Sequence, residues 1–198
     1  MATIGPIGSR RNENSKLSYR IADTQKLLAR ARRVRLLVLD VDGVLTDGRI
    51  VLTEDGRQTK CFDVRDGFGL VLAKQAGWKL ALITAERSGT VTHRARRLKV
   101  DWVAQYARDK RLALERCLKH FRVPLEAVAY VGDDLLDLPV LKRVGFSAAP
   151  ANAEDLVKRH VHYVARAKGG RGAVREIVEV LLKAQGRWEE LVERRYLS

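Results

Sequence analysis

The chain has 198 residues, enough for one domain with a sizeable core. It carries 38 Lys and Arg against 24 Asp and Glu, a net charge of +14, but only 6% aromatic residues. The basic residues are scattered, with small clusters at Arg30/Arg32/Arg33/Arg35 and Arg94/Arg96/Arg97/Lys99 and no aromatic platform interleaved among them. This argues against nucleic acid as a partner and leaves a solvated basic surface or a small anionic ligand.

No apolar run approaches the ~20 residues of a membrane span, and the N-terminus lacks the apolar core of a signal peptide. The expectation is a cytoplasmic protein with no membrane partner. Two cysteines, Cys61 and Cys117, make no disulfide framework and read as ordinary core thiols in a reducing setting.

In chain order, residues 1–15 are polar and without period, which predicts a mobile tail; a helix is expected over 18–33. Val34–Leu39 is a nearly continuous apolar run, the pattern of a strand buried on both faces of a parallel sheet. It runs straight into Asp40 and Asp42, with Gly43 immediately after. Segments 49–53 and 59–63 flank Glu54-Asp55-Gly56 and predict a β-hairpin. A helix over 66–77 is expected to be N-capped by Asp66 and closed by Gly77. Trp78–Ile83 is a second buried strand, ending in Thr84.

A helix over 88–98, a short strand at 102–103 and a helix over 110–121 capped by Asp109 come next. Leu114, Cys117, Leu118 and Phe121 form the core stripe of that last helix. Ala127–Val131 is a third buried strand and ends in Gly132-Asp133-Asp134-Leu-Leu-Asp137. Shorter elements at 138–144, 146–149, 153–159 and 161–164 continue the alternation, and a final helix starts near Gly172. The fold class is therefore α/β, a Rossmann-like parallel sheet with helices on both faces and a β-hairpin after the first strand. One domain is expected over 16–186, followed by a C-terminal tail, 187–198.

Open α/β sheets bind ligands beyond the carboxyl ends of their strands. Here those ends carry Asp40/Asp42, Thr84 and Asp133/Asp137, with Lys110 opening a helix behind another strand. Singly each has a dull explanation: solvated acids in a turn, a helix-capping threonine, a surface lysine. Together they supply a carboxylate nucleophile, a second acid beside it, a hydroxyl and an ammonium for phosphate oxygens, and distant acids for a hard divalent cation such as Mg²⁺.

Asp40-Val-Asp42-Gly43-Val-Leu-Thr46, Ile83-Thr84, Lys110 and Gly132-Asp133-Asp134-x-x-Asp137 resemble the four motifs of the haloacid dehalogenase superfamily of phosphatases. Asp63-Val64-Arg65-Asp66-Gly67, Ala129–Leu135 and Gly169-Gly-Arg171-Gly-Ala-Val-Arg-Glu176 are similar, more narrowly, to the 3-deoxy-D-manno-octulosonate 8-phosphate phosphatase family of lipopolysaccharide precursor synthesis. The likeness runs from about Val34 to Gly186. It implies a haloacid dehalogenase-like fold, with Asp40 as nucleophile, Asp42 as acid and base, and Thr84 and Lys110 on the phosphoryl oxygens. It also implies Mg²⁺ on Asp40, the Asp42 carbonyl and Asp133, with Asp134 and Asp137 in support. Arg65, Asp66, Gly67 and Arg171 are substrate-binding candidates on the same ground.

Phosphatases of this superfamily usually carry a cap domain between these motifs, but the gaps 42–84 and 84–110 are already filled. No cap fits, so neighbouring subunits are expected to wall the site. The resemblance implies a homotetramer associated through the 49–63 hairpins, and the segment 187–198 is a further candidate wall. One departure stands out: the family usually has Thr-Gly-Arg where this chain has Thr84-Ala85-Glu86-Arg87. Similar enzymes acting on nine-carbon 2-keto-3-deoxy acid 9-phosphates carry a glutamate there, with basic residues on the following helix, a role open to Arg94 and Arg97. The eight-carbon substrate leads and the nine-carbon one is its rival. A phospho-receiver signalling domain is the alternative from another class, disfavoured by the one-residue spacing of Asp40 and Asp42.

Overall fold

A computed structural model describes residues 23–197; the expected N-terminal tail and the start of the first helix lie outside them. The chain runs α1 (23–32), β1 (Leu36–Leu39), β2 (Val51–Leu52), β3 (Gln58–Thr59), α2 (Val64–Gln75) and β4 (Lys79–Ile83). It continues through α3 (Gly89–Arg97), β5 (Trp102–Ala104), α4 (Lys110–Phe121) and β6 (Val128–Val131). After these come α5 (Leu138–Leu141), β7 (Phe146–Ala149), α6 (Asp155–Lys158), β8 (Tyr163–Val164) and α7 (Ala173–Ala184).

One six-stranded sheet has the order β5-β4-β1-β6-β7-β8, every pair parallel. Counted within that sheet the order is 3-2-1-4-5-6, the doubly wound arrangement, and not the 2-1-3-4-5 order of receiver domains. The signalling alternative therefore has no support in the topology. β1 lies at the switch point, between β4 and β6, so the crevice at its carboxyl end is where this architecture binds ligands.

Why β1 reads as an unbroken apolar run is visible in the packing. Leu37 and Leu39 enter one core with Leu70 of α2 and Ile177 and Leu181 of α7. Leu36 and Val38 enter the other with Leu114 and Cys117 of α4 and Leu141 of α5. Alternate residues of an extended chain point to opposite faces, and here both faces are buried. Burial pushes the Cys117 thiol up to about 12, in keeping with an inert core residue.

Four expectations need correction. The second hairpin strand is β3, Gln58–Thr59, pairing Leu52 with Gln58; the chain leaves the ladder before 60–63 because the Lys60 side chain turns inward. Cys61, in that irregular stretch, is exposed rather than a core thiol. The element expected over 138–144 stops at Leu141. Finally, α2 begins at Val64 and is capped by Asp63, whose carboxylate accepts from Arg65 N.

Asp66 caps a different helix. It is fully buried and accepts from Gly172 N at 3.1 Å and Arg175 N at 2.9 Å, the first turn of α7. α7 opens on Gly172 with no side-chain cap of its own, so α2 supplies one from 106 residues away in the chain.

Only the hairpin and α2 separate β1 from β4, and only α3 and β5 separate β4 from α4, so the described residues contain no cap domain. No helix among them is long and apolar enough to cross a membrane. Beyond Gly186 the chain is helical again, with Trp188 and Leu191 against the α2/α7 core and Tyr196 edge-on to Phe68 at 6.0 Å.

Candidate active site

β1, β4 and β6 end side by side and deliver their next residues to one cleft of about 290 Å³. Asp40, Asp42, Thr84, Glu86, Lys110 and Asp133 line it. Asp40 prolongs the ladder by donating its N–H to Val131 O at 3.0 Å, which fixes its side chain at the sheet edge. Thr84 does the same on β4, donating to Ala104 O at 3.0 Å.

Lys110, the first residue of α4 behind the Asp109 cap, is buried between two acids. Its ammonium lies 2.8 Å from Asp40 Oδ2 and 2.7 Å from Asp137 Oδ1. Burial opposes its charge, but Asp40 and Asp137 outweigh that, so its pKa is raised and it remains an ammonium. Asp137 is fully buried and saturated with donors: Tyr130 OH at 2.6 Å, Lys110, and the N–H groups of Asp133 and Asp134 at 3.1 and 3.3 Å. A carboxylate so fully engaged holds Lys110 and the loop in place.

Asp133 is different. Among the described residues its Oδ1 is buried without a hydrogen-bond partner. Ligand oxygens of Asp40, Asp133 and Asp137 lie within 4.8 Å of one another. Burial first, then the neighbouring carboxylates, push Asp133 up to about 8. Burial and the Asp137 charge likewise push Asp40 up to about 7, against the pull of Lys110. An orphaned buried oxygen amid excess negative charge is what a hard divalent cation relieves, so this donor set fits Mg²⁺.

The loop after β1 is shaped for close approach. Gly43 has φ +79°, and Thr46 Oγ1 accepts from the N–H groups of Gly43 and Gly48, both at 3.3 Å. The Gly169–Gly172 loop docks on its back: Gly170 N donates to Val44 O at 3.0 Å, and a β-carbon at Gly169 would lie 1.7 Å from Gly43 O. Asp42 reaches the cleft rim and is ion-paired there with Lys60.

The remaining predicted residues fall elsewhere. Glu86 is exposed in the cleft, its N–H on Thr84 Oγ1 at 3.3 Å. Asp134 is exposed and caps the turn that follows, accepting from Leu135 N at 2.6 Å. Arg65 and Arg171 line a second cleft with Asp47, Cys61 and Phe62. There Arg65 Nη2 donates to Asp63 Oδ2 at 2.9 Å and to Arg171 O at 3.0 Å. Asp66 and Gly67 are buried and line neither cleft.

Arg94 is part-buried; its guanidinium lies over the Phe62 ring at 5.4 Å and donates to Asp63 O at 3.1 Å. Gly67 leaves it room, since a β-carbon there would lie 2.4 Å from Arg94 Nη2. Arg94 thus ties α3 to the start of α2, and Arg97, on the same helix, is exposed. Sequence reasoning gave no role to Lys60 or Tyr130, and quoted Thr46 in the first motif without one. Tyr130 carried a signal, a hydroxyl inside an otherwise apolar buried strand that must find a partner.

The family of haloacid dehalogenase-like hydrolases matches residues 98–177. The 3-deoxy-D-manno-octulosonate 8-phosphate phosphatase KdsC of Escherichia coli K12 is 43% identical over 164 residues, 83% of this chain and 87% of that protein. The crystal structure of the phosphatase of the same name from Yersinia pestis superposes with a TM-score of 0.81 at 41% identity, over 83% of this chain and 89% of that one. The one from Moraxella catarrhalis, in complex with magnesium ion, phosphate ion and KDO, gives 0.84 at 36% identity, over 86% and 98%.

Proposed function

The chain belongs to the 3-deoxy-D-manno-octulosonate 8-phosphate phosphatase family of haloacid dehalogenase-like hydrolases, and from that premise we propose how its own residues remove the phosphate. It is a phosphoric monoester hydrolase, and it hydrolyses 3-deoxy-D-manno-octulosonate 8-phosphate to the free sugar acid and inorganic phosphate. The observation that carries the assignment of roles is the chain Asp40–Lys110–Asp137 beside the unpartnered oxygen of Asp133.

Asp40 attacks phosphorus, forming an acyl phosphate as the bond to the sugar oxygen breaks. Asp42 gives that oxygen its proton, then takes a proton from the water that attacks the acyl phosphate, and Asp40 is released with phosphate. Lys110 and the Thr84 hydroxyl hold the phosphoryl oxygens while charge spreads onto them. Asp137 keeps Lys110 aimed, since its own oxygens are fully engaged. Asp40, Asp133 and the Asp42 carbonyl would hold Mg²⁺, which when bound neutralises the carboxylates and the phosphoryl group.

Without a cap, other walls are needed. Ile50, Val51 and Leu52 on the hairpin are 72%, 49% and 64% exposed, an apolar stretch with nothing over it among the described residues. This supports association through the hairpins into a homotetramer; sedimentation equilibrium giving a fully active monomer would exclude the tetramer.

Glu86 in the cleft favours a second reading, a nine-carbon 2-keto-3-deoxy acid 9-phosphate. Phosphate release from both acids side by side separates the two. The eight-carbon assignment requires the higher kcat/KM on the octulosonate ester, and the reverse order overturns it.

A further inference from the structure

Two buried lysines, Lys110 and Lys60, are ion-paired with acids at the cleft, each with a different one. Lys110 serves Asp40 and Asp137. Lys60 serves Asp42: it follows β3 directly, and its ammonium is hydrogen-bonded to Asp42 Oδ1. The Lys60 side chain is only 3% exposed, whereas that of Asp42 is 36% exposed. A cation taken out of water is held tightly to its one anion, because leaving it unpaired is costly. Among the described residues no donor reaches the other oxygen of Asp42, and the residue lines the cleft.

An aspartate at a cleft rim, a third exposed, can turn freely about its side-chain bonds. An acid that must meet the leaving oxygen within hydrogen-bond reach cannot afford that freedom. We propose that Lys60 is a positioning residue for the reaction: by fixing Oδ1 of Asp42 it turns Oδ2 toward the oxygen that leaves phosphorus. The hairpin base thereby becomes part of the site. The sequence gives no hint of this, because the two residues lie 18 apart across an irregular stretch.

This rests on the phosphatase reading, and kcat/KM tests it because that ratio reports the steps up to phosphoryl transfer. A sugar-acid phosphate needs a proton on its leaving oxygen; p-nitrophenyl phosphate does not. If Lys60 positions the acid, Lys60→Met lowers kcat/KM on the sugar ester by about a hundredfold and on the aryl ester by less than about threefold. Lys60→Arg recovers most of the loss, and Asp42→Asn shows the same contrast between esters.

A lysine that merely tied the hairpin to the loop would change both esters in proportion. Proportional losses, or none on either ester, overturn the role of Lys60. If Lys60→Met does not fold, Lys60→Gln carries the same comparison against the same two outcomes. A wild-type enzyme inactive on both esters overturns instead the phosphatase reading on which the proposal stands.

Discussion

A β-carbon built on Gly43 would stand 1.9 Å from Asp133 Oδ2. The catalytic loop after β1 and the acidic loop after β6 are thus pressed together at a point that admits no side chain. Gly43 also has φ +79°, a conformation that other residues adopt with strain.

Gly43→Ala should therefore displace the Asp133 carboxylate directly. Mg²⁺ affinity is expected to fall by at least about tenfold, as for loss of support to a metal ligand, with kcat/KM falling alongside. Titration calorimetry with Mg²⁺ checks this; unaltered affinity would mean that the loop absorbs the methyl group.

The raised carboxyls set a pH dependence. Asp40, pushed up to about 7, and Asp133, up to about 8, keep protons in the folded metal-free chain that the unfolded chain has already lost. Their contribution to stability is full below the unfolded value and disappears as pH rises through the folded values, so the metal-free protein weakens from about pH 4 to 8. Mg²⁺ competes with those protons and restores most at the high end. Thermal melts in chelator and in Mg²⁺ should show a larger metal-induced rise in Tm at pH 8 than at pH 5.5, whereas an equal rise contradicts the assignment.

Asp66 reaches across to cap α7 with bonds of 3.1 and 2.9 Å. Asp66→Ala should cost about 1–2 kcal/mol, the value of a lost cap, with two buried N–H groups left unpaired. Asp66→Asn should retain most of it. Urea unfolding measures both, and an alanine variant as stable as wild type would show that solvent replaces the cap.

Glu86 lines the cleft beside Thr84. If it contacts sugar hydroxyls, Glu86→Arg shifts the ratio of kcat/KM values toward the eight-carbon ester by at least about tenfold. An unmoved ratio removes Glu86 from substrate choice.

What could be read in the sequence was whatever repeats locally. β1, β4 and β6 were legible because unbroken apolar runs ended in polar chemistry, and that alone brought Asp40, Thr84 and Asp133 to one edge. Capping was harder. Asp66 has the right residue type beside the right helix, yet Asp63 takes that helix and Asp66 serves one far along the chain. Lys60 and Arg94 illustrate the same limit in opposite directions: a lysine in a ragged strand turns inward to Asp42, while an arginine on a basic helix packs on Phe62. Such pairings depend on tertiary placement, which no local pattern encodes.

The mechanism turns on Asp40 carrying the phosphoryl group. Asp42→Asn, slow to hydrolyse an acyl phosphate, is mixed with p-nitrophenyl phosphate, quenched, reduced with borohydride and mapped by mass spectrometry. One equivalent of nitrophenol is expected in a burst, with conversion of Asp40, and no other residue, to homoserine. A burst with Asp40 unmodified, or with the modification on another residue, would contradict it.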